Sequence, residues 1–336
     1  MVTIYDIAEA TGYSAPTVSK ALNGSGSLSE KTRAKIVETA TKMGYEPNFI
    51  ARSLTTKKSN LIGVVYDDTG MNRGFANPLF TVVLTRFREC IEKAGYDIVF
   101  LSRHFKMSYF AHANYRCVDG VIIINPATNS DEDFREFATS NLPRISTNSI
   151  INGICTVITD NEKGAYEAAE YLIKKGHKKI AFLSAPRNGV SSAPIERWNG
   201  FIKALNDYKI SFDQELFEES EQWDKDGGRQ AFERIYNRRK DFTAVFAVTD
   251  QLAFGIYDYA AKNNLSIPGD ISVVGFDDDK AAKYVNPALT TFHQDAEKIA
   301  EISADMILKQ IEKKEVPSAI RCEAQFVERQ SVRSLS

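Results

Sequence analysis

Cysteine is scarce and scattered. The four residues, Cys90, Cys117, Cys155 and Cys322, form no C-x-x-C pair. That spacing excludes a zinc site or a disulfide framework and predicts buried, reduced thiols. Histidine is equally rare, and His104, His112, His177 and His293 have no metal-ligand spacing. Also missing are G-x-G-x-x-G, G-K-[ST] and G-x-S-x-G, so no dinucleotide loop, phosphate loop or nucleophile elbow is offered. No apolar run is long enough to span a bilayer, and the start, Met1-Val2-Thr3-Ile4-Tyr5-Asp6, lacks a basic-then-apolar leader. The expectation is a cytoplasmic protein with no membrane partner, no metal and no cofactor.

What is present is the balance of a globular protein: 336 residues, 43% hydrophobic and 26% charged. That length predicts more than one domain. The net charge of −2 hides an asymmetry. Residues 1–60 hold eight Lys+Arg against five acids, +3, and the rest holds 34 against 39, −5. A basic leading module on an acidic body suits a polyanion partner for the first segment only.

The first segment reads as three short helices. Thr3 is a cap-like start with an acid three residues on, followed by Ile4, Ile7 and Ala8, and Gly12 ends the turn. Ser14 offers a second cap, Pro16 suits a first turn, and Val18, Ala21 and Leu22 share a face. Ser29 caps a third helix with an expected buried stripe of Thr32, Ile36, Val37, Ala40 and Met43, stopped by Gly44 and Pro47. Helix, short glycine-containing turn, helix and supporting helix is the helix-turn-helix pattern. Beyond Pro47, residues 48–54 form a marginal helix of barely two turns, too short to persist alone in water.

From Leu61 the pattern changes to apolar strands alternating with amphipathic helices. Expected strands are Leu61–Tyr66, Tyr96–Leu101, Gly120–Asn125, Arg144–Ser146, Lys179–Leu183, Ala244–Val248 and Ser272–Phe276. Expected helices are Phe80–Ala94, Glu162–Lys175, Trp198–Tyr208, Gly227–Asn237 and Gln251–Asn263. Such alternation means parallel sheets covered by helices, in more units than one ordinary sheet holds. Two Rossmann-like lobes with a ligand cleft between them are expected. The triplet Asp277-Asp278-Asp279 resembles a hard-cation site, but consecutive side chains cannot all face one ion. A loop end capped by nearby amides is the expectation there.

Several runs together resemble one family. They include Thr3-Ile4-Tyr5-Asp6-Ile7-Ala8, Thr17-Val18-Ser19-Lys20-Ala21-Leu22-Asn23-Gly24, Gly44-Tyr45-Glu46-Pro47-Asn48 and Ala51-Arg52-Ser53-Leu54. In the body they continue through Val118-Asp119-Gly120-Val121-Ile122, Thr159-Asp160-Asn161, Arg197-Trp198-Asn199-Gly200, Val274-Gly275-Phe276-Asp277-Asp278 and Val327-Glu328-Arg329. The chain resembles the lactose-repressor (LacI/GalR) family over essentially its whole length. The resemblance implies an α + α/β architecture: a helix-turn-helix head at 1–47, a hinge helix and linker at 48–60, and a periplasmic-binding-protein-like (type I) effector domain at 61–336. Its first lobe is expected at 61–158 and 293–318, and its second at 159–292 and 319–332.

The implied function is a sequence-specific repressor, a homodimer on palindromic double-stranded operator DNA, controlled by a small-molecule effector, a sugar first. Ala15, Pro16 and Lys20 face outward from the second helix and fall where the family chooses its operator. Ala15 offers apolar contact, Pro16 no donor, and Lys20 a point charge for guanine O6/N7, where the family more commonly has Arg. Thr3, Ser14, Thr17, Ser19, Asn23, Ser29 and Thr32 supply short polar groups for phosphate oxygens, some of them serving as caps, and Tyr5 sits where the family contacts DNA. Leu54 is implied to wedge with its symmetry mate into a central minor-groove step. The family's effector positions map to Phe80, Asn125, Asn148, Arg197, Trp223, Asp250 and Gln294, with Arg197 and Asp250 expected at strand ends. Asn148 stands where an aspartate is common. Gly70–Gly74 forms a longer loop than usual near that mouth. A nucleobase or phosphoprotein effector is the alternative. A transport module is disfavoured by residues 1–60, and a sugar-acting enzyme by the lack of nucleophile–base spacing. The stretch after Arg329 has no leucine heptad, which favours a dimer over a helix-tethered tetramer.

Overall fold

A computed structural model describes residues 2–24, 26–45, 58–66, 74–103, 107–126, 131–147, 149–187 and 191–335. The chain divides into two compact units, Met1–Ser59 and Asn60–Ser336. The expected hinge lies mostly outside the described residues, as do the 70–73 part of the long loop, His104, Leu54 and Asn148.

The first unit holds α1 (Ile4–Thr11), α2 (Ala15–Leu22) and α3 (Glu30–Lys42). Each start has its cap. Thr3 and Asp6 form a capping box, Ser14 accepts from the Thr17 N–H and Ser29 from the Thr32 N–H. Each such cap contributes on the order of 1 kcal/mol to its helix. Gly12, at φ 76°, closes α1 in the left-handed region that favours glycine. Ile7, Val18, Ala21, Ile36 and Ala40 form the core, with Leu22, Leu28 and Met43 against it. Val37 departs from the expected stripe. It is 43% exposed, because at about 100° per residue it turns away from the face that buries Ile36.

The second unit has two parallel sheets. In the first, β1 (Leu61–Tyr66), β2 (Asp97–Leu101), β3 (Gly120–Asn125), β4 (Arg144–Ser146), β5 (Cys155–Thr159) and β11 (Ala319–Cys322) run in the order β11-β5-β4-β3-β1-β2. It is covered by α4 (Pro78–Lys93), α5 (Tyr109–Tyr115), α6 (Asp131–Thr139) and α11 (Ala296–Ile311). In the second, β6 (Ile180–Ser184), β7 (Phe217–Glu219), β8 (Ala244–Ala247) and β9 (Ser272–Val274) run in the order β7-β6-β8-β9. Around it lie α7 (Asn161–Lys174), α8 (Ala193–Asp207), α9 (Lys225–Arg238) and α10 (Asp250–Lys262). A two-stranded antiparallel pair, β10 (Thr291–His293) and β12 (Gln325–Val327), completes the fold.

The central strands β3, β5, β6 and β8 are buried along their whole length, as strands covered on both faces must be. One boundary differs from expectation. Residues 319–322 do not join the second lobe, because β11 pairs in parallel with β5 and forms an edge of the first sheet. The chain therefore changes lobe after Cys322. The cysteines also divide: Cys155 and Cys322 are buried, Cys90 is half-buried, and Cys117 is exposed rather than buried, since it follows the end of α5 at φ 53°.

Candidate functional site

In the head, the start of α2 is shaped by its cap. Ser14 Oγ lies 2.8 Å from Thr17 Oγ1 and accepts from the Thr17 N–H at 3.4 Å. That geometry sets Ala15 half-buried and Pro16 exposed on the first turn, with Lys20 exposed in the last. Thr3 and Ser29 are occupied in the same way as Ser14. Thr3 Oγ1 donates to Asp6 Oδ2 at 2.8 Å, and Ser29 Oγ sits 2.8 Å from Thr32 Oγ1. Asn23 Nδ2 donates to Ser19 Oγ at 3.3 Å. Tyr5 is 72% exposed, so its ring takes little part in packing the head.

A residue missed by the sequence reading also matters here. Arg33, on α3, donates from Nη1 to the Ala21 carbonyl at 3.0 Å and from Nη2 to the Gly26 carbonyl at 3.4 Å. It ties the C-terminal end of α2 and the following loop to the supporting helix. Its spacing from α2 carries no periodic signal, so the sequence alone could not single it out.

In the second unit a cavity of about 50 Å³ lies between the lobes, and Phe80, Arg197, Trp223 and Gln294 all line it. Leu79, Thr147, Thr159, Asn161, Thr249 and Asp277 share its wall. Phe80 comes from α4, behind the Asn77 cap, and meets Tyr66 edge-on at 6.4 Å. Trp223 is buried, and its indole N–H has no hydrogen-bond partner among the described residues. A buried donor left unpaired costs about 1–3 kcal/mol, so this N–H is a natural seat for a ligand oxygen.

Arg197 is not at a strand end, as expected, but on helix α8, one turn in from its start. Its Nε donates to Asn161 Oδ1 at 2.9 Å and its Nη1 to the Val248 carbonyl. Asp277 Oδ1 lies 3.5 Å from Nη1. Burial pulls the guanidinium's pKa down, opposed by Asp277, Glu196 and Asp250. The polar groups continue as a belt. Thr159 Oγ1 donates to Gln294 Oε1 at 2.6 Å, and Gln294 Nε2 to Asp277 Oδ1 at 2.6 Å. On the other side Asn161 Nδ2 donates to Glu196 Oε2 at 3.2 Å, and Glu196 also receives Arg321 of β11 at 3.0 Å.

Two expected effector residues stand apart from that wall. Asn125, at the end of β3, is fully buried and does not line the cavity. Asp250 heads α10 rather than ending a strand, and it too is enclosed behind the wall. Its carboxyl pKa is raised well above the ordinary carboxylate range, first by burial and then by Asp277. The three consecutive aspartates point three ways, as steric reasoning requires. Asp277 faces the cleft, Asp278 bonds Arg329 at 2.5 Å, and Asp279 accepts from Gln251 Nε2 at 2.7 Å. Among the described residues no cluster of three His, Cys, Asp or Glu could hold a metal ion.

Residues 3–48 match the model of the lacI family of bacterial regulatory proteins, and residues 169–332 match a periplasmic binding protein-like domain. A probable helix-turn-helix transcriptional repressor of Bacillus subtilis, ExuR, is 31% identical over 339 residues, covering 100% of both chains. The chain belongs to the lacI family of bacterial regulatory proteins. A crystal structure of the lac repressor dimer bound to operator and the anti-inducer ONPF superposes with a TM-score of 0.84, at 27% identity, over 99% of each chain. A LacI-family regulator from Enterococcus faecium with bound ribose gives a TM-score of 0.70 at 28% identity, over 82% of this chain and 100% of that one.

This lacI-family protein is thus a sequence-specific DNA-binding transcriptional regulator with a two-lobed effector domain. The relatives are regulators of transcription rather than enzymes. The first turn of α2 carries the exposed Pro16 and the half-buried Ala15, and in helix-turn-helix proteins a recognition helix enters the major groove by its N-terminal residues. The cavity lies where open parallel sheets generally bind ligands, beyond the carboxyl ends of their strands.

Proposed function

We propose that this regulator is a repressor that grips a palindromic operator as a homodimer, in the cytoplasm and without catalysis, and that a sugar bound between its lobes sets the grip. Ala15, Pro16 and Lys20 read bases. Tyr5, Thr17, Ser19 and Asn23, with the capping hydroxyls of Thr3, Ser14, Ser29 and Thr32, contact the backbone. Leu54 wedges at the centre of the operator. The observation that carries the effector reading is the cleft itself: an unpaired Trp223 indole N–H beside Phe80, with Arg197, Asp277 and Gln294 converging on one small space. Aromatic faces with a cation, a carboxylate and an amide suit a ring bearing several hydroxyls. Asn148 extends that set in this reading, and Asn125, buried outside the cavity wall, joins it only once the lobes part. The operator-bound lac repressor and the ribose-bound regulator support it by likeness.

At about 50 Å³ the cavity is far smaller than the roughly 300–1,000 Å³ of small-molecule sites. A sugar ring enters only if the lobes part and the belt of Thr159, Gln294, Asp277 and Arg197 opens. The sugar therefore favours one lobe arrangement over another and shifts their populations. In a dimer that shift changes the separation of two heads that must match half-sites about one helical turn apart. Linkage demands that operator alter sugar affinity by the same factor.

The test is selection of bound sequences from a random duplex pool, repeated with sugars and nucleobases added one at a time. A palindrome whose affinity moves with one sugar supports the proposal. A response to a nucleobase alone reassigns the effector. No preference for any palindrome ends the operator reading.

A further inference from the structure

Asp250 belongs to the expected effector set, yet nothing of it reaches the cavity wall. Its contacts run elsewhere. The backbone N–H donates to the Phe276 carbonyl at 2.7 Å, and Oδ2 accepts from the Asp279 N–H at 2.8 Å. These two bonds straddle Asp277 and Asp278, whose φ values of 127° and 55° both lie in the left-handed region. Consecutive non-glycine residues there are sterically costly and persist only where the surroundings over-determine them. Oδ1 accepts from Thr291 Oγ1 at 2.5 Å, so the same carboxyl also fixes β10, three residues before Gln294. Gly275 makes room for it, because a Cβ there would lie 2.2 Å from Asp250 Oδ1.

The geometry points to Asp250 as the positioning residue of the effector cleft: it clamps the loop that presents Asp277, and touches no ligand itself. This rests on the effector reading of the cleft. The clamp works through hydrogen bonds rather than charge: the Asp279 N–H donates to one oxygen, and the Thr291 hydroxyl, able to give or take a hydrogen bond, meets the other. An asparagine can keep its oxygen toward the Asp279 N–H and turn its amide toward Thr291, whose hydroxyl can accept instead. An alanine keeps neither bond. A ligand-contacting carboxylate behaves differently, because loss of its charge alone weakens binding.

The experiment compares Asp250→Asn and Asp250→Ala in the full chain, with two independent readouts. Hydrogen exchange of the peptide covering residues 275–282 reports the clamp without any ligand. Quenching of tryptophan fluorescence by D-ribose and by cellobiose reports the cleft through Trp223. Asp250→Ala loses both bonds, of which only that to the Asp279 N–H lies in this peptide; it is expected to speed exchange there about tenfold, roughly the worth of that one net hydrogen bond, and to abolish quenching by whichever probe acts on the wild type. Asp250→Asn is expected to keep both within about threefold, on the same hydrogen-bond arithmetic. Unchanged exchange in Asp250→Ala overturns the clamp. Equal loss of quenching in Asp250→Asn and Asp250→Ala, with exchange preserved in Asp250→Asn, overturns it in favour of direct ligation.

Should neither probe quench the wild type, D-ribose and cellobiose are removed as effectors while exchange still decides the clamp. If Asp250→Ala does not fold, Thr291→Val removes one donor and leaves the other. It is then expected to raise exchange at 275–282 while the cooperative thermal transition persists, and no change in exchange overturns the proposal.

Discussion

The guanidinium carbon of Arg197 lies 3.7 Å from the ring centre of Phe276, the residue that immediately precedes Asp277. Stacking on a ring, donation to Asn161 and an approach to Asp277 all use the planar fork that only arginine has. Arg197→Lys keeps the charge and loses that geometry. The expected outcome is about a thirtyfold loss of sugar affinity, roughly 2 kcal/mol for a hydrogen bond to a charged group, with operator binding in the absence of sugar retained. Calorimetric titration of the sugar that moves the operator equilibrium checks this, and an unchanged affinity removes Arg197 from the cleft's function.

Lys20 is the one exposed side chain of α2 able to donate to guanine. Lys20→Ala is expected to cost about 1–3 kcal/mol on the selected operator, and to relax preference at one base position per half-site. Titrations against operators substituted at each base provide the check. A loss that is uniform across all sequences reassigns Lys20 to the phosphate backbone.

Leu54 lies outside the described residues, and its role rests on resemblance. A leucine wedge acts only where the duplex kinks, and unstacking a step is recovered by contacts that the bent site permits. Leu54→Ala should therefore weaken specific binding far more than binding to scrambled DNA, and gel-shift titrations on both duplexes compare the two. Equal weakening on both eliminates the wedge.

His177 supplies a pH dependence. Its imidazole is fully buried, with Nδ1 2.8 Å from Thr243 Oγ1 and Nε2 3.1 Å from the Arg333 carbonyl. Burial pulls its pKa below the ordinary 6.5, against the upward pull of that carbonyl. The unfolded chain therefore takes up the proton first as pH falls. The stability His177 contributes is present above about pH 6.5 and drains away below it, down to the lower folded value. Urea unfolding at pH 8, 6.5 and 5.5 should show the gap between wild type and His177→Gln shrinking with acid. A gap that stays constant refutes the assignment.

Much of this architecture was legible because it is written in local period and punctuation. The caps Thr3, Ser14 and Ser29 stand where the short hydroxyls announced them, and β3, β6 and β8 match expected apolar runs to within one residue. Some elements that escaped notice are short: β7, β10 and β12 have three residues each, too few for a period, but the 16-residue α11, the nine-residue α6 and strand β5 were missed as well. Strand β11 could have paired with either sheet, and only its register against β5 decides. Within the cleft, aromatic and charged residues were visible by type and resemblance. Asp277 was set aside with its two neighbours, because nothing in three identical letters says which one turns inward. Asp250 was placed too close to the cavity for the converse reason, since burial and long-range hydrogen bonds leave no mark in the sequence.

The belt from Thr159 to Arg197 has a consequence for discrimination. Among the described residues the belt's own groups on Thr159, Gln294, Asp277 and Arg197 are paired with neighbours, while the Trp223 indole N–H is not. A guest gains only what it returns beyond those internal bonds, so modest overall affinity goes with sharp chemical choice. A sugar lacking one hydroxyl leaves an opened amide or carboxylate stranded, and is refused far more strongly than its size difference would suggest. On the proposed reading, signal fidelity in this regulator comes from a mouth that opens only for the molecule able to repair it.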